Sequence, residues 1–273
     1  MNQLPDWIID AKSPLADEDT DKLELWFFQD ESFTDARAAE LLNEISSANR
    51  LSDVKSLAFR ETEITDKSMT EWAHVAQAGE LGNLTSISFS DTKITDASMT
   101  EWAKAAEAGM LINLTEIQLW ATQVGDGFLS EIANAVQAGY LTQLEELWLT
   151  GTEVSDLSVI GLGMAAQSGY LSRLERVAFS STKVTSAIFK PWSVASNSFK
   201  LPNLLTFGFE DNDLESINLN GKEVSIPHEL QFNGKALELF EWLRKEQKIP
   251  EDRRITKKNK EIRSGRPPRG LFG

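Results

Sequence analysis

The sequence predicts a right-handed α/β solenoid, an open arc with parallel strands on its concave face and helices on its convex face. Three observations predict it. The stretch DTKITDASMTEWAKAAEAG, Asp91 to Gly109, nearly copies ETEITDKSMTEWAHVAQAG, Glu61 to Gly79. Cutting the chain at Leu51, Leu81, Leu111, Leu141, Leu171 and Leu201 stacks five complete 30-residue units and a partial sixth, with no insertion. Within each unit the apolar spacing changes from strand-like alternation to the period of a helix.

The strand comes first in each unit. Ile87 and Phe89 alternate with Ser86, Ser88 and Ser90, as Ile117 and Leu119 do with Glu116, Gln118 and Trp120. A turn follows at Thr92 and Ile94. Met99, Trp102, Ala103 and Ala106 then recur at the spacing of one helical face, so Trp72, Trp102 and Trp192 are expected in the core. Aspartates at 66, 96, 126 and 156 suit the free N–H groups at the start of these helices, with Ser98 and Glu101 as a capping-box alternative. Gly79, Gly109, Gly139 and Gly169 end the helices where a left-handed residue is wanted. No unit can bury both apolar faces alone, and stacking in parallel buries them for all.

The segments follow from this period: residues 1–50 hold an N-terminal stretch and a degenerate capping unit, and 51–220 the repeats (51–80, 81–110, 111–140, 141–170, 171–200 and a partial 201–220). Residues 221–249 hold a capping helix and 250–273 a basic flexible tail. In the first segment Leu23, Trp26, Phe28, Phe33 and Asp35 read as a unit offset by one residue, which leaves Leu25 and Phe27 facing outward under residues 1–20. Near the other end Leu237, Leu239, Phe240 and Leu243 form one face of an amphipathic helix.

Composition narrows the function. The chain has no cysteine, which removes disulfides, thiolate metal sites and cysteine nucleophiles. Its opening lacks a basic and an apolar signal region, and no apolar run reaches the length of a membrane span, so a cytoplasmic protein with no membrane partner is expected. Asn83 and Asn113, each in an Asn-Leu-Thr triplet, read as by-products of the repeat rather than glycosylation acceptors. Net charge is −15, yet residues 250–273 carry eight basic and three acidic groups. The acidic body favours a partner with a basic surface, while the tail has the opposite preference.

The repeat resembles the leucine-rich repeat family, in its ribonuclease-inhibitor-like and cysteine-containing (F-box type) branch. The family pattern of L-x-x-L-x-L-x-x-N/C-x-I/L followed by a helix is met by Leu84, Ile87, Phe89, Thr92 and Ile94, and the resemblance covers residues 22–220. The Asn/Cys position is Thr62, Thr92, Thr122, Thr152 and Thr182, with Asn212 in the last unit; a threonine hydroxyl there is expected to bond the neighbouring turn's backbone. Pro227, Glu229, Leu230, Gly234, Ala236, Leu237, Trp242 and Leu243 are similar to the segment that closes the repeats of Roco-type proteins, which implies capping. The F-box branch implies a substrate-recognition subunit of a ubiquitin ligase, although about twenty residues before the first unit are too few for an F-box domain.

No constellation supports catalysis, so no enzyme, metal or cofactor is expected. His74 and His228 are far apart, and His74 sits on a repeat helix where its counterpart is Lys104. Gly161 and Gly163 lie within a helix and read as packing, not a phosphate loop, and Glu210, Asp211, Asp213 and Glu215 lack the glycine and spacing of a calcium loop.

By the resemblance, the concave surface is built from the non-leucine strand positions. Most are small or hydroxylic, and the exceptions are the candidate site: Trp120, Trp148, Glu116, Glu146 and Gln118, with Arg60 and Arg176. Trp120 and Trp148 are expected on adjacent strands about 5 Å apart, with Glu116 and Glu146 placed for a Lys or Arg of the partner. The expected function is protein binding through this face by a monomeric adaptor, effector or inhibitor-like module. The competing class is a nucleic-acid-associated protein that uses the tail.

Overall fold

A computed structural model describes residues 22–212, 214, 216–219, 222–227, 230 and 236–246. The chain runs β1 (Leu23–Phe28), α1 (Asp35–Ser47), β2 (Val54–Arg60), α2 (Asp66–Gln77), β3 (Ser86–Ser88), α3 (Asp96–Glu107), β4 (Glu116–Gln118), α4 (Asp126–Gln137) and β5 (Glu146–Trp148). It continues with α5 (Asp156–Ala166), β6 (Arg176–Ala178), α6 (Phe189–Asn197), β7 (Thr206–Gly208), β8 (Ser216–Leu219), β9 (Lys222–Ser225) and α7 (Ala236–Glu246). Strands β1 to β7 form one parallel seven-stranded sheet in sequence order, with a helix between each successive pair, which is the expected α/β solenoid.

A left-handed residue turns the chain off the sheet one residue after β2 and three residues after each of β3 to β7: Glu61, Asp91, Ala121, Gly151, Ser181 and Asp211 all have φ between 52° and 69°. The helices close with Gly79, Gly109, Gly139 and Gly169 at positive φ, as their position predicts. Between the two turns, Leu84, Ile87, Phe89 and Ile94 meet Met99, Trp102, Ala103 and Ala106 in a core where none is more than 1% exposed. The tryptophans also link neighbouring units. The indole N–H of Trp72 donates to Ala38 O at 3.2 Å, that of Trp102 to Met69 O at 3.1 Å and that of Trp192 to Val159 O at 3.0 Å. A buried indole needs such an acceptor, and the preceding helix supplies it.

Three expectations about this frame are corrected. The aspartates do not cap their own helices, whose N-caps include Thr65, Thr95 and Ser155. Each reaches forward to the next unit: Asp66 accepts from Thr95 N–H at 2.9 Å and its hydroxyl at 2.7 Å, and Asp126 accepts from Ser155 N–H at 2.8 Å. The threonines, in turn, bond their own turn rather than the neighbouring one, as Thr92 does to Phe89 O at 2.6 Å and Thr122 to Leu119 O at 2.7 Å. Asn212 alone of this column joins two units, donating to Phe179 O and Phe209 O while accepting from Thr182 N–H. A threonine has one hydroxyl and a short reach; an asparagine offers two donors and an acceptor further out.

The third correction concerns β1, whose pairing slips between Leu23 and Glu24. The slip turns Leu25 and Phe27 inward and Trp26 and Phe28 outward. Leu25 is 1% exposed, and the Phe27 ring stacks on Phe33 at 3.9 Å between centroids. Asn83 and Asn113 have structural work as well, donating to Ser52 O at 3.0 Å and Gly82 O at 2.8 Å in the preceding unit.

At the other end a hairpin of β8 and β9 replaces the sixth unit's helix. Helix α7 then buries Ala236, Leu239, Phe240 and Leu243, with Phe240 edge-on to Phe207 at 5.3 Å. The Leu237 side chain, His228, Glu229, Gly234 and residues 250–273 lie outside the described residues, as do residues 1–21.

Candidate protein-binding face

Helices cover one face of the sheet, and the alternate strand positions form the other. Three rows cross it. The first is Glu24, Ser56, Ser86, Glu116, Glu146, Arg176 and Thr206, and the second Trp26, Ala58, Ser88, Gln118, Trp148, Ala178 and Gly208. The third begins with the pair Phe28 and Arg60 and continues two residues past each short strand at Ser90, Trp120 and Thr150, where Glu61 N–H, Asp91 N–H and Ala121 N–H carry the ladder onward. All seven candidate residues lie in these rows.

The two central indoles stand on adjacent strands in different rows. Trp148 is opposite Gln118, while Trp120 is one row along, so each finds a different neighbour. The Trp148 N–H donates to Glu146 at 2.8 Å. Trp120 instead faces the Arg60 guanidinium, whose carbon is 5.1 Å from its ring centroid; on its other side Arg60 lies 5.5 Å from the Phe28 ring. A cation held between two aromatic rings gains from both ring quadrupoles.

The carboxylates are engaged within the face. Glu146 pairs with Arg176 as well as with Trp148. Glu116 accepts from Ser86 at 2.9 Å and from the Gln118 amide, whose oxygen accepts from Ser88 at 3.0 Å. These bonds preset the rotamers of four polar side chains, which lowers the entropy cost of binding anything placed over them.

Sequence reasoning missed Trp26 and Phe28, which are 38% and 54% exposed on this face. In LELWFF every residue but Glu24 is apolar, so alternation has nothing to act on; the lone acid marks the outward side. Elsewhere His74 is exposed on α2, and Glu210 and Asp211 are described without the rest of their acidic run. Among the described residues no group of three His, Cys, Asp or Glu could hold a metal ion, and no helix is long and apolar enough to cross a membrane.

No family model and no curated protein matches the chain. Some solved structures are similar to it at a low level. An internalin (inlF) from Listeria monocytogenes str. 4b F2365 is 15% identical with a TM-score of 0.34, covering 62% of this chain and 58% of that one. A TDR receptor is 15% identical at a TM-score of 0.34, covering 61% and 32%, and the plant peptide hormone receptor RGFR1 in complex with RGF2 is 14% identical at 0.31, covering 60% and 25%. The chain thus spans less than two thirds of the length of each, and no function transfers from them. The thirty-residue period, the parallel sheet and the alternating helices together make this chain an α/β solenoid.

Proposed function

We propose that the open face of the sheet binds a protein partner, with Trp120, Trp148, Glu116, Glu146, Gln118, Arg60 and Arg176 as its contact residues. The observation that carries the reading is the aromatic content of this face: Trp26, Phe28, Trp120 and Trp148 all lie on it, with Phe28 54% exposed. Exposed apolar surface is costly to keep, and tryptophan and arginine are the residues on which interface energy concentrates. The polar network around them supplies a prearranged rim.

On this reading the array at 51–220 is the binding module, flanked by a capping unit within 1–50, a closing segment at 221–249 similar to that of Roco-type proteins, and a tail at 250–273. The net charge of −15 favours a partner that is basic overall. A monomeric, non-enzymatic adaptor or inhibitor-like role in the cytoplasm fits the same features, and the F-box-type branch stays the nearest pattern for the repeats.

The test uses the wild-type chain and the double variant Trp120→Ala/Trp148→Ala as paired baits in extract, once both are shown to unfold at the same temperature. A protein held by the wild type and lost by the variant, then confirmed by calorimetric titration with both, supports the reading. Identical captures would move recognition to the helices or to residues 250–273.

A further inference from the structure

Arg60 differs from the charges at the centre of the open face. Glu116 and Glu146 have hydrogen-bond or ion-pair partners within the face, and Arg176 has Glu146. Arg60 has none among the described residues. Its Nε is buried and finds no acceptor, and its neighbours are two rings, Phe28 and Trp120, neither of which accepts a full hydrogen bond. Ser90 stands beside it on the next column, fully buried, and its hydroxyl also lacks a partner.

This combination has a physical cost. A buried polar group left unpaired costs about 1–3 kcal/mol, and more when it is charged. The rings recover part of it by cation–π attraction, of about 1–2 kcal/mol at a partly desolvated site. They also flank the guanidinium, so a carboxylate arriving there would meet a fork of donors already held against two apolar rings.

We propose that Arg60, held between Phe28 and Trp120, anchors an aspartate or glutamate side chain of the protein partner. The inference rests on the reading of the open face as a binding surface and names the chemistry of its ligand. The carboxylate accepts from Arg60, and apolar atoms next to it cover the Phe28 and Trp120 rings. A partner that is basic overall therefore places one acidic residue at this point. The complementarity is local: of the two arginines on the face, Arg176 is paired with Glu146, and Arg60 is the cation left without an anion among the described residues.

The test is a selection of random peptides displayed on phage against the immobilised full chain, in parallel for the wild type, Arg60→Gln and Trp148→Ala. The wild type is expected to enrich Asp or Glu beside an aromatic or aliphatic residue. A synthetic peptide from that pool should bind Arg60→Gln about 10- to 100-fold more weakly, the loss expected for a hydrogen bond between charged groups. Arg60→Lys should recover part of the affinity, and added salt should weaken binding to the wild type more than to Arg60→Gln. Equal melting temperatures for the variants separate lost contact from lost fold, and Arg60→Lys serves if Arg60→Gln is unstable. Peptides that lack acidic enrichment, or bind the wild type and Arg60→Gln alike while still depending on Trp148, overturn this inference and leave the open face as the binding surface. Peptides indifferent to both residues, or a selection that enriches nothing, overturn the two together.

Discussion

The carboxylate of Asp66 caps a helix to which it does not belong. It accepts from the N–H and hydroxyl of Thr95 and from the Ser98 hydroxyl at 2.6 Å, so one side chain ties the start of α2 to the start of α3. Asp35 and Asp126 repeat the arrangement on Thr65 and Ser155. Burial pushes each carboxyl up, but the bonds from the hydroxyls and N–H groups outweigh it and hold all three below the ordinary aspartate value. The folded pKa is therefore lower than the unfolded one. The stability this ladder contributes is fully present above the unfolded pKa of about 4 and is lost as pH falls through the folded value. Asp66→Asn should cost about 1–2 kcal/mol at pH 7 and much less at pH 3. Urea unfolding at the two pH values measures it, and a cost that does not change with pH would contradict the mechanism.

Two glycines a helical half-turn apart should respond oppositely to alanine. A Cβ on Gly161 would meet nothing within 4 Å, so Gly161→Ala should stabilise α5 by about 0.5–1 kcal/mol. On Gly163 it would fall 2.6 Å from Cδ1 of the buried Trp192, and Gly163→Ala should destabilise by about 1–3 kcal/mol. Thermal melts of the two variants decide it; a loss at both positions would mean that α5 tolerates no change at all.

Asn212 should be worth more than any threonine of its column. Asn212→Thr keeps a bond to Phe209 O within the turn but gives up those to Phe179 O and from Thr182 N–H, at 2.7 and 2.6 Å. The expected cost is about 1–2 kcal/mol, against about 1 kcal/mol or less for Thr92→Val. Chemical denaturation of both variants gives the comparison, and equal costs would show that the link across units carries no weight.

Trp102→Phe should cost about 2–4 kcal/mol, because it removes the indole donor that links Met69 O to α3 and opens space in the core. Hydrogen exchange would place the damage on both α2 and α3, since the lost bond joins them. Protection lost in α3 alone would speak against the link.

The repeat was legible because the same contact recurs at every unit, so the sequence states it several times. Leu84, Ile87 and Phe89 give the strand, and Met99, Trp102 and Ala106 the helix face, whether or not any one of them is noisy. β1 was not legible for the opposite reason. It occurs once, nearly every residue in it is apolar, and a slip at Leu23 exchanges its two faces.

The sequence by itself determined the period, the order of strand and helix and the core tryptophans, since these follow from local spacing alone. Tertiary structure decided which unit each aspartate serves, that Trp148 turns to Glu146 while Trp120 turns to Arg60, and that Phe28 completes the cage. Apart from the short reach of Trp148 to Glu146, these are contacts between residues about thirty positions or more apart. In a repeat, a side chain's own unit and the next one offer it nearly the same partners, and only the stacked geometry selects between them.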